Sequence, residues 1–165
     1  MATPNLFESV AGVTPEEDHY LRLWFTLLGC FTQVERALRR RLRKDFDTSL
    51  PRFDLLTALA TFSDGLTMTE LAEKVGVSKG NVTGVVRRLR EDGLVRQIQQ
   101  SADRRVQRVE LTEAGSTRWR EMRAVYREVV EEILAEMSHA EADALRARLH
   151  RTQLLIDRSG PVQSA

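Results

Sequence analysis

Residues 78–94, SKGNVTGVVRRLREDGL, carry two contrasting sides in one helical repeat. Val82, Val85, Val86 and Leu89 recur at three- and four-residue steps, the spacing of a buried helix face. The opposite side holds Lys79, Thr83 and Arg87 together with Gly80 and Gly84. A glycine inside a helix costs roughly 1 kcal/mol relative to alanine. Two of them on an outward face suggest that something must come close to this backbone.

The flanking residues extend the pattern. Thr67-Met68-Thr69-Glu70 is a capping box that opens a helix, TELAEKVG, ending at Gly76. Ser78 caps the quoted helix and Asp92-Gly93 stops it. Only Gly76-Val77 lie between the two helices, which is the helix-turn-helix signature; its second helix enters the DNA major groove. Residues 94–100 and 106–111 then read as short strands, with Val95, Ile98, Val106, Val109 and Leu111 as buried positions. Ser101-Ala102-Asp103-Arg104-Arg105 is the polar loop between them. A basic hairpin after a helix-turn-helix makes a winged helix.

Further out, residues 1–13 read as a flexible arm, and Thr14-Pro15-Glu16-Glu17 as a capping box with proline at the first helical position. A helix to about Phe46 follows, striped by Leu21, Trp24, Leu28, Phe31, Val34, Leu38 and Leu42. It would reach roughly 40 Å, longer than so small a core requires, which suggests a second chain along it. Ser49-Leu50-Pro51 punctuates the chain, residues 53–62 form a short helix, and Ser63-Asp64-Gly65 a turn. After the hairpin, Trp119, Met122, Tyr126, Val129 and Ile133 share a helix face. Ser138-His139-Ala140-Glu141 opens a last helix, with Leu145, Leu149, Thr152 and Ile156, to about Arg158. The expected fold is mainly α with a small β-hairpin wing. Residues 49–112 form the winged helix-turn-helix lobe, flanked by the helices of 14–48 and 113–158, and 159–165 a frayed tail.

The composition is that of a soluble globular chain: 165 residues, 42% hydrophobic and 30% charged. The net charge of +1 is uninformative, but from Lys79 to Arg108 eight basic residues face three acids, leaving −4 elsewhere. Taken alone, a charge run marks a solvated face; on a winged helix it is an electrostatic footprint for a polyanion. Cys30 is the only cysteine, so an intrachain disulfide is excluded, and a buried, inert thiol is expected. His19, His139 and His150 are scattered and suggest no metal site. There is no glycine-rich phosphate loop after a strand, nucleophile elbow or defensible histidine–carboxylate pair, so neither an enzyme nor a bound cofactor is expected. Without a leader-like start or a bilayer-length apolar run, a cytoplasmic protein with no membrane partner is expected.

LTMTELAEKVGVSKGNVTGVVRRLREDGLV and SADRRVQRVELTEAG together resemble the MarR family of transcriptional regulators. The likeness spans about residues 20–157. Its most telling pieces are Asp103-Arg104-Arg105 at the hairpin tip and Leu111-Thr112-Glu113-Ala114-Gly115 leaving it. The resemblance implies a homodimer built by the first and the last two helices. It also implies that Asp103 orients Arg105 into a minor groove, with Arg104 in the same role or on a phosphate. The quoted helix itself offers Ser78, Lys79, Gly80, Asn81, Thr83, Gly84, Arg87 and Arg88 to DNA. The partner expected is a double-stranded, pseudo-palindromic operator.

Family members often take a small anionic aromatic molecule in a cleft beside the dimer helices. Trp24, Phe25, Phe31 and Phe53, with Arg39, Arg40 and Arg43, are the residues expected to bind one. Aromatic carboxylates and aromatic acyl-CoA thioesters are the leading ligand classes, and release of a repressor the expected response. Two rival readings are an oxidant- or metal-sensing regulator of the same fold and a winged-helix protein-interaction module.

Overall fold

The computed structural model describes residues 19–100 and 103–159; side chains at 100, 103–106, 157 and 159 fall outside that description. The expected arm, the Thr14–Glu17 capping box and the end of the tail therefore lie outside the described residues. In chain order the elements are α1 (His19–Phe46), α2 (Leu50–Thr61), β1 (Leu66–Thr67), α3 (Met68–Val75), α4 (Lys79–Glu91), β2 (Val95–Gln100), β3 (Asp103–Leu111), α5 (Glu113–Ile133) and α6 (His139–Ser159). The chain divides after Val129 into two compact units, so α5 begins in the first and ends in the second.

The helix-turn-helix forms for the local reasons its sequence contains. The Thr67 hydroxyl accepts the Glu70 backbone N–H at 3.2 Å, and the Glu70 carboxylate accepts the Thr67 N–H at 2.7 Å. These bonds, with Arg108 nearby, hold the Glu70 carboxyl below the usual range. Gly76 ends α3 at φ 71°, a left-handed conformation that suits glycine. Ser78 caps α4, its hydroxyl 3.5 Å from the Asn81 N–H.

The first unit is held by an aliphatic core. Leu38 and Leu42 of α1, Leu55, Leu56 and Leu59 of α2, Leu71 of α3, and Val82, Val86 and Leu89 of α4 are buried. Val95, Val109, Met122 and Val129 complete it from the wing and α5. Each such side chain contributes about 1.5–3 kcal/mol relative to exposure. Val85 is half-buried, so the buried stripe of α4 is narrower than expected.

Several expectations need correction. α2 starts at Leu50, with Ser49 at its N-cap and Pro51 in its first turn; the proline opens the helix instead of separating it from α1. β1 was not foreseen; two residues long, it pairs antiparallel with β3, and the sheet order is β1-β3-β2. β3 begins at Asp103, not Val106. Its pairing with β2 is regular from Val95↔Leu111 to Gln99↔Gln107, then jumps to Gln100↔Asp103. Residues 104–106 are thus surplus on β3, so the polar segment belongs largely to an irregular strand. Ile98 and Leu111 are only half-buried, and Cys30 is exposed where a buried thiol was expected.

The stripe of α1 divides along its length. Leu38 and Leu42 are buried, whereas Leu21, Trp24 and Phe31 are exposed. In the second unit, α6 leaves Leu145, Leu149, Leu154, Leu155 and Ile156 exposed.

One junction fastens the wing to α5. The Thr112 hydroxyl donates to the Gly93 carbonyl at 2.7 Å and accepts the Gly115 N–H at 3.0 Å, while the Thr112 N–H donates to the Leu94 carbonyl. Gly115 packs so tightly that an added Cβ would lie 1.9 Å from the Leu94 carbonyl oxygen. Backbone must then move. Gly115→Ala is expected to lower unfolding free energy by about 1–3 kcal/mol. Gly80→Ala, where a Cβ meets nothing within 4 Å, should leave stability unchanged or raise it. Denaturant titration of the two variants checks both.

Candidate nucleic-acid interface and ligand cavity

Burial of Val82, Val86 and Leu89 fixes the rotation of α4, and the opposite face turns outward. Ser78, Lys79, Gly80, Asn81, Thr83, Arg87 and Arg88 are exposed, and Gly84 is half-exposed. At both glycines a Cβ would have open space around it. Packing within the chain therefore gives no reason for their lack of a side chain. The Thr83 hydroxyl donates back to the Lys79 carbonyl at 2.9 Å.

The basic footprint separates into two groups. Arg96 pairs with Glu110, its register partner across the hairpin. Arg90 donates to Gln97 at 2.8 Å, and Arg108 donates to the Gly65 carbonyl at 2.7 Å while lying 3.4 Å from Glu70. These arginines knit the lobe together. Arg87 has Glu91 3.9 Å away, whereas Lys79 and Arg88 have no ion pair among the described residues. The unopposed charge thus lies on α4 itself. Asp103, Arg104 and Arg105 have described backbone at the start of β3, but their side chains lie outside the described residues.

The expected ligand residues are not brought together. Trp24 and Phe31 are exposed, Phe25 is half-buried, and Arg40 and Arg43 point to solvent. Arg39 pairs with Glu35 at 2.6 Å. Of these residues only Phe53 reaches a large cavity, about 610 Å³ between α2, α3 and α5. That volume lies within the range of small-ligand sites. Arg39 instead lines a separate cavity of about 340 Å³ under the start of α4. The reason is position along the helix: Trp24 and Phe31 sit on the N-terminal part of the α1 stripe, which the first unit leaves uncovered.

The large cavity is built by residues the sequence reading placed elsewhere or passed over. Phe53 stacks on Tyr126 at 4.9 Å between centroids. Trp119 Nε1 donates to the Thr57 hydroxyl at 3.1 Å. The Arg123 guanidinium lies 5.6 Å from the Trp119 ring, and the Lys74 ammonium 5.0 Å from Phe62. Neither cation has an ion pair among the described residues. Trp119 and Tyr126 were legible as a helix stripe, and Arg123 four residues after Trp119 was a missed signal.

Asp54 lines both cavities. Burial pushes its carboxyl pKa up, Arg39 opposes that shift, and Glu35 adds to it. Burial likewise raises Tyr126, with Asp54 adding to the effect. For a carboxyl raised in the folded state, stability falls as pH rises from 3.8 through the folded pKa. Asp54→Asn is therefore expected to raise Tm at neutral pH, with the gain vanishing below pH 3.8. A thermal melt series across pH checks this; an unchanged or lower Tm at pH 7 contradicts it.

No described helix is long and apolar enough to cross a membrane, and no described group of three or more His, Cys, Asp or Glu is placed to hold a metal. Residues 46–106 match the MarR family model. An uncharacterised HTH-type transcriptional regulator of Bacillus cereus is 33% identical over 93 residues, 56% of this chain and 60% of the relative. The chain thus matches about 60% of that relative's length. BadR of Rhodopseudomonas palustris, described as a transcriptional activatory protein, is 30% identical over 66% of each chain. The crystal structure of BldR from Sulfolobus solfataricus aligns with TM-score 0.75 and 28% identity, covering 87% of this chain and 100% of that one. Bordetella bronchiseptica BpsR, a protein whose DNA binding is regulated by 6-hydroxynicotinic acid, aligns with TM-score 0.70 over 80% of this chain and 98% of its own. At 20% identity that likeness concerns the fold alone. The capped α3–α4 pair, the three-stranded wing and these matches agree: the chain belongs to the MarR family and has the winged-helix fold of its transcriptional regulators.

Proposed function

We propose that this protein is a homodimeric, sequence-specific DNA-binding regulator, a repressor released by a small anionic aromatic ligand. The observation that carries the DNA reading is the outward face of α4, with two glycines in open space beside unpaired Lys79 and Arg88. A backbone without side chains can approach base edges, and a helix N-terminus favours phosphate. In this reading Arg105 of the wing enters the neighbouring minor groove, oriented by Asp103, and Arg104 takes the same role or a phosphate. The exposed apolar residues of α1 and, separately, of α6 support a second copy as the partner, since faces of this kind mark association surfaces. Two such subunits place their α4 helices in major grooves about 10 base pairs apart, or a multiple of it.

The effector site in this reading is the large cavity of α2, α3 and α5, revised from the residues of α1. Aromatic walls and two cations with no ion pair among the described residues suit a flat anion. The cavity includes Lys74 and Val75, the last residues of α3, just before the turn into α4. A ligand preferring one setting of α3 would shift the spacing of the reading helices, and it acts only through that preference.

Gel shifts with the gene's own upstream DNA test the proposal. Gly84→Leu should weaken binding about tenfold or more while leaving thermal unfolding near wild type. Arg88→Ala should lower the slope of log affinity against log salt by about one. Unchanged affinity in Gly84→Leu, or a monomer in sedimentation, overturns the reading.

A further inference from the structure

The C-terminal half of α4 repeats one arrangement, and the two copies end differently. Arg87 precedes Glu91 by four residues, and Arg88 precedes Asp92 by four. Side chains at that spacing are neighbours on a helix face, where arginine and carboxylate pair. The first couple meets: Arg87 Nε lies 3.9 Å from Glu91. The second does not, and the exposed Arg88 has no ion pair among the described residues.

What separates the two couples is Arg52. From the first turn of α2 its Nη2 donates to the Asp92 carboxylate and closes an ion pair. Asp92 is the C-cap of α4, its N–H bonded to the Arg88 and Arg90 carbonyls. A carboxylate there meets the negative end of the helix dipole and favours a cation beside it. Arg90 is engaged with Gln97, so the choice lies between Arg88 on the same helix and Arg52 on α2. Stability gives little reason for the outcome. A partly exposed ion pair adds little. The Arg52 Nε is buried with no hydrogen-bond partner among the described residues, which subtracts from the gain.

We infer that Arg52 is a positioning residue for DNA binding: by occupying Asp92 it keeps the Arg88 guanidinium free for a phosphate. This rests on the reading of α4 as the DNA-facing helix. Without Arg52, the Asp92 carboxylate turns to Arg88, one helical turn back, and competes with the phosphate for it.

Gel shifts of the full chain on the gene's own upstream DNA, over a salt series, test this. Arg52→Gln should weaken binding roughly 2- to 5-fold, the scale of an exposed ion pair. It should also lower the slope of log affinity against log salt, with thermal unfolding near wild type. Asp92→Asn breaks the same bridge yet should bind at least as tightly as wild type, and adding it to Arg52→Gln should restore affinity. In an Arg88→Ala background Arg52→Gln should lose most of its effect. A bridge that only braces the fold predicts weaker binding in Asp92→Asn and no rescue. A through-space charge effect predicts the same loss with or without Arg88. Either pattern, or wild-type affinity in Arg52→Gln, overturns the role of Arg52 while the DNA reading stands. A wild-type chain without salt-dependent DNA binding overturns the DNA reading and this role with it.

Discussion

Three side chains, Val82, Val86 and Leu89, set the orientation on which the rest of the molecule depends. Their burial against the aliphatic core leaves α4 one rotational setting, because turning the helix would expose them and bury Lys79 or Arg87. With that setting fixed, the glycine-bearing face is outward and the N-terminus of α4 is free at the surface. The hydrophobic effect is non-directional, yet the helical period converts it into a directed surface. Function is carried by the residues that the core leaves over.

The Thr112–Gly115 junction performs a comparable task for the second half of the lobe. It anchors α5 to the end of α4 and the root of the wing through Gly93 and Leu94. α5 in turn carries Trp119, Arg123 and Tyr126, one wall of the large cavity. α3 supplies Lys74 on the other side and leads directly into α4. The proposed effector site therefore includes the helix that leads into the proposed reading helix, and a long relay between them is unnecessary. Asp54 sits where the large cavity and the smaller one under α4 meet, and its burial is tolerated at a cost in stability.

Legibility followed the range of the interactions. The α3 capping box, the left-handed Gly76 and the Ser78 cap were read correctly because each is a contact within a few residues. The start of α2 was missed because Pro51 fits a helix's first turn as well as a break. β1 was missed because a two-residue strand has no periodicity of its own; it exists through its pairing with β3. The footprint of eight basic residues was right as a count and incomplete as a reading. Arg96 and Arg108 find carboxylates that are distant in sequence, so charge number overstated charge available.

The sequence by itself determined the order of the helices and of the β2–β3 hairpin, the two faces of α4 and the family resemblance, since all three are written in local spacing. It left open which aromatic residues meet which cations. Trp24 and Phe31 carry the same apolar character as Trp119 and Tyr126, and only the packing of α5 against α2 brings the latter pair to a cavity. It left Arg39 with Glu35 and gave the cavity Lys74 and Arg123 in its place. Tertiary structure decided these matters because a binding site is a set of distances between helices, and residues far apart in the chain carry no spacing from which such distances can be read.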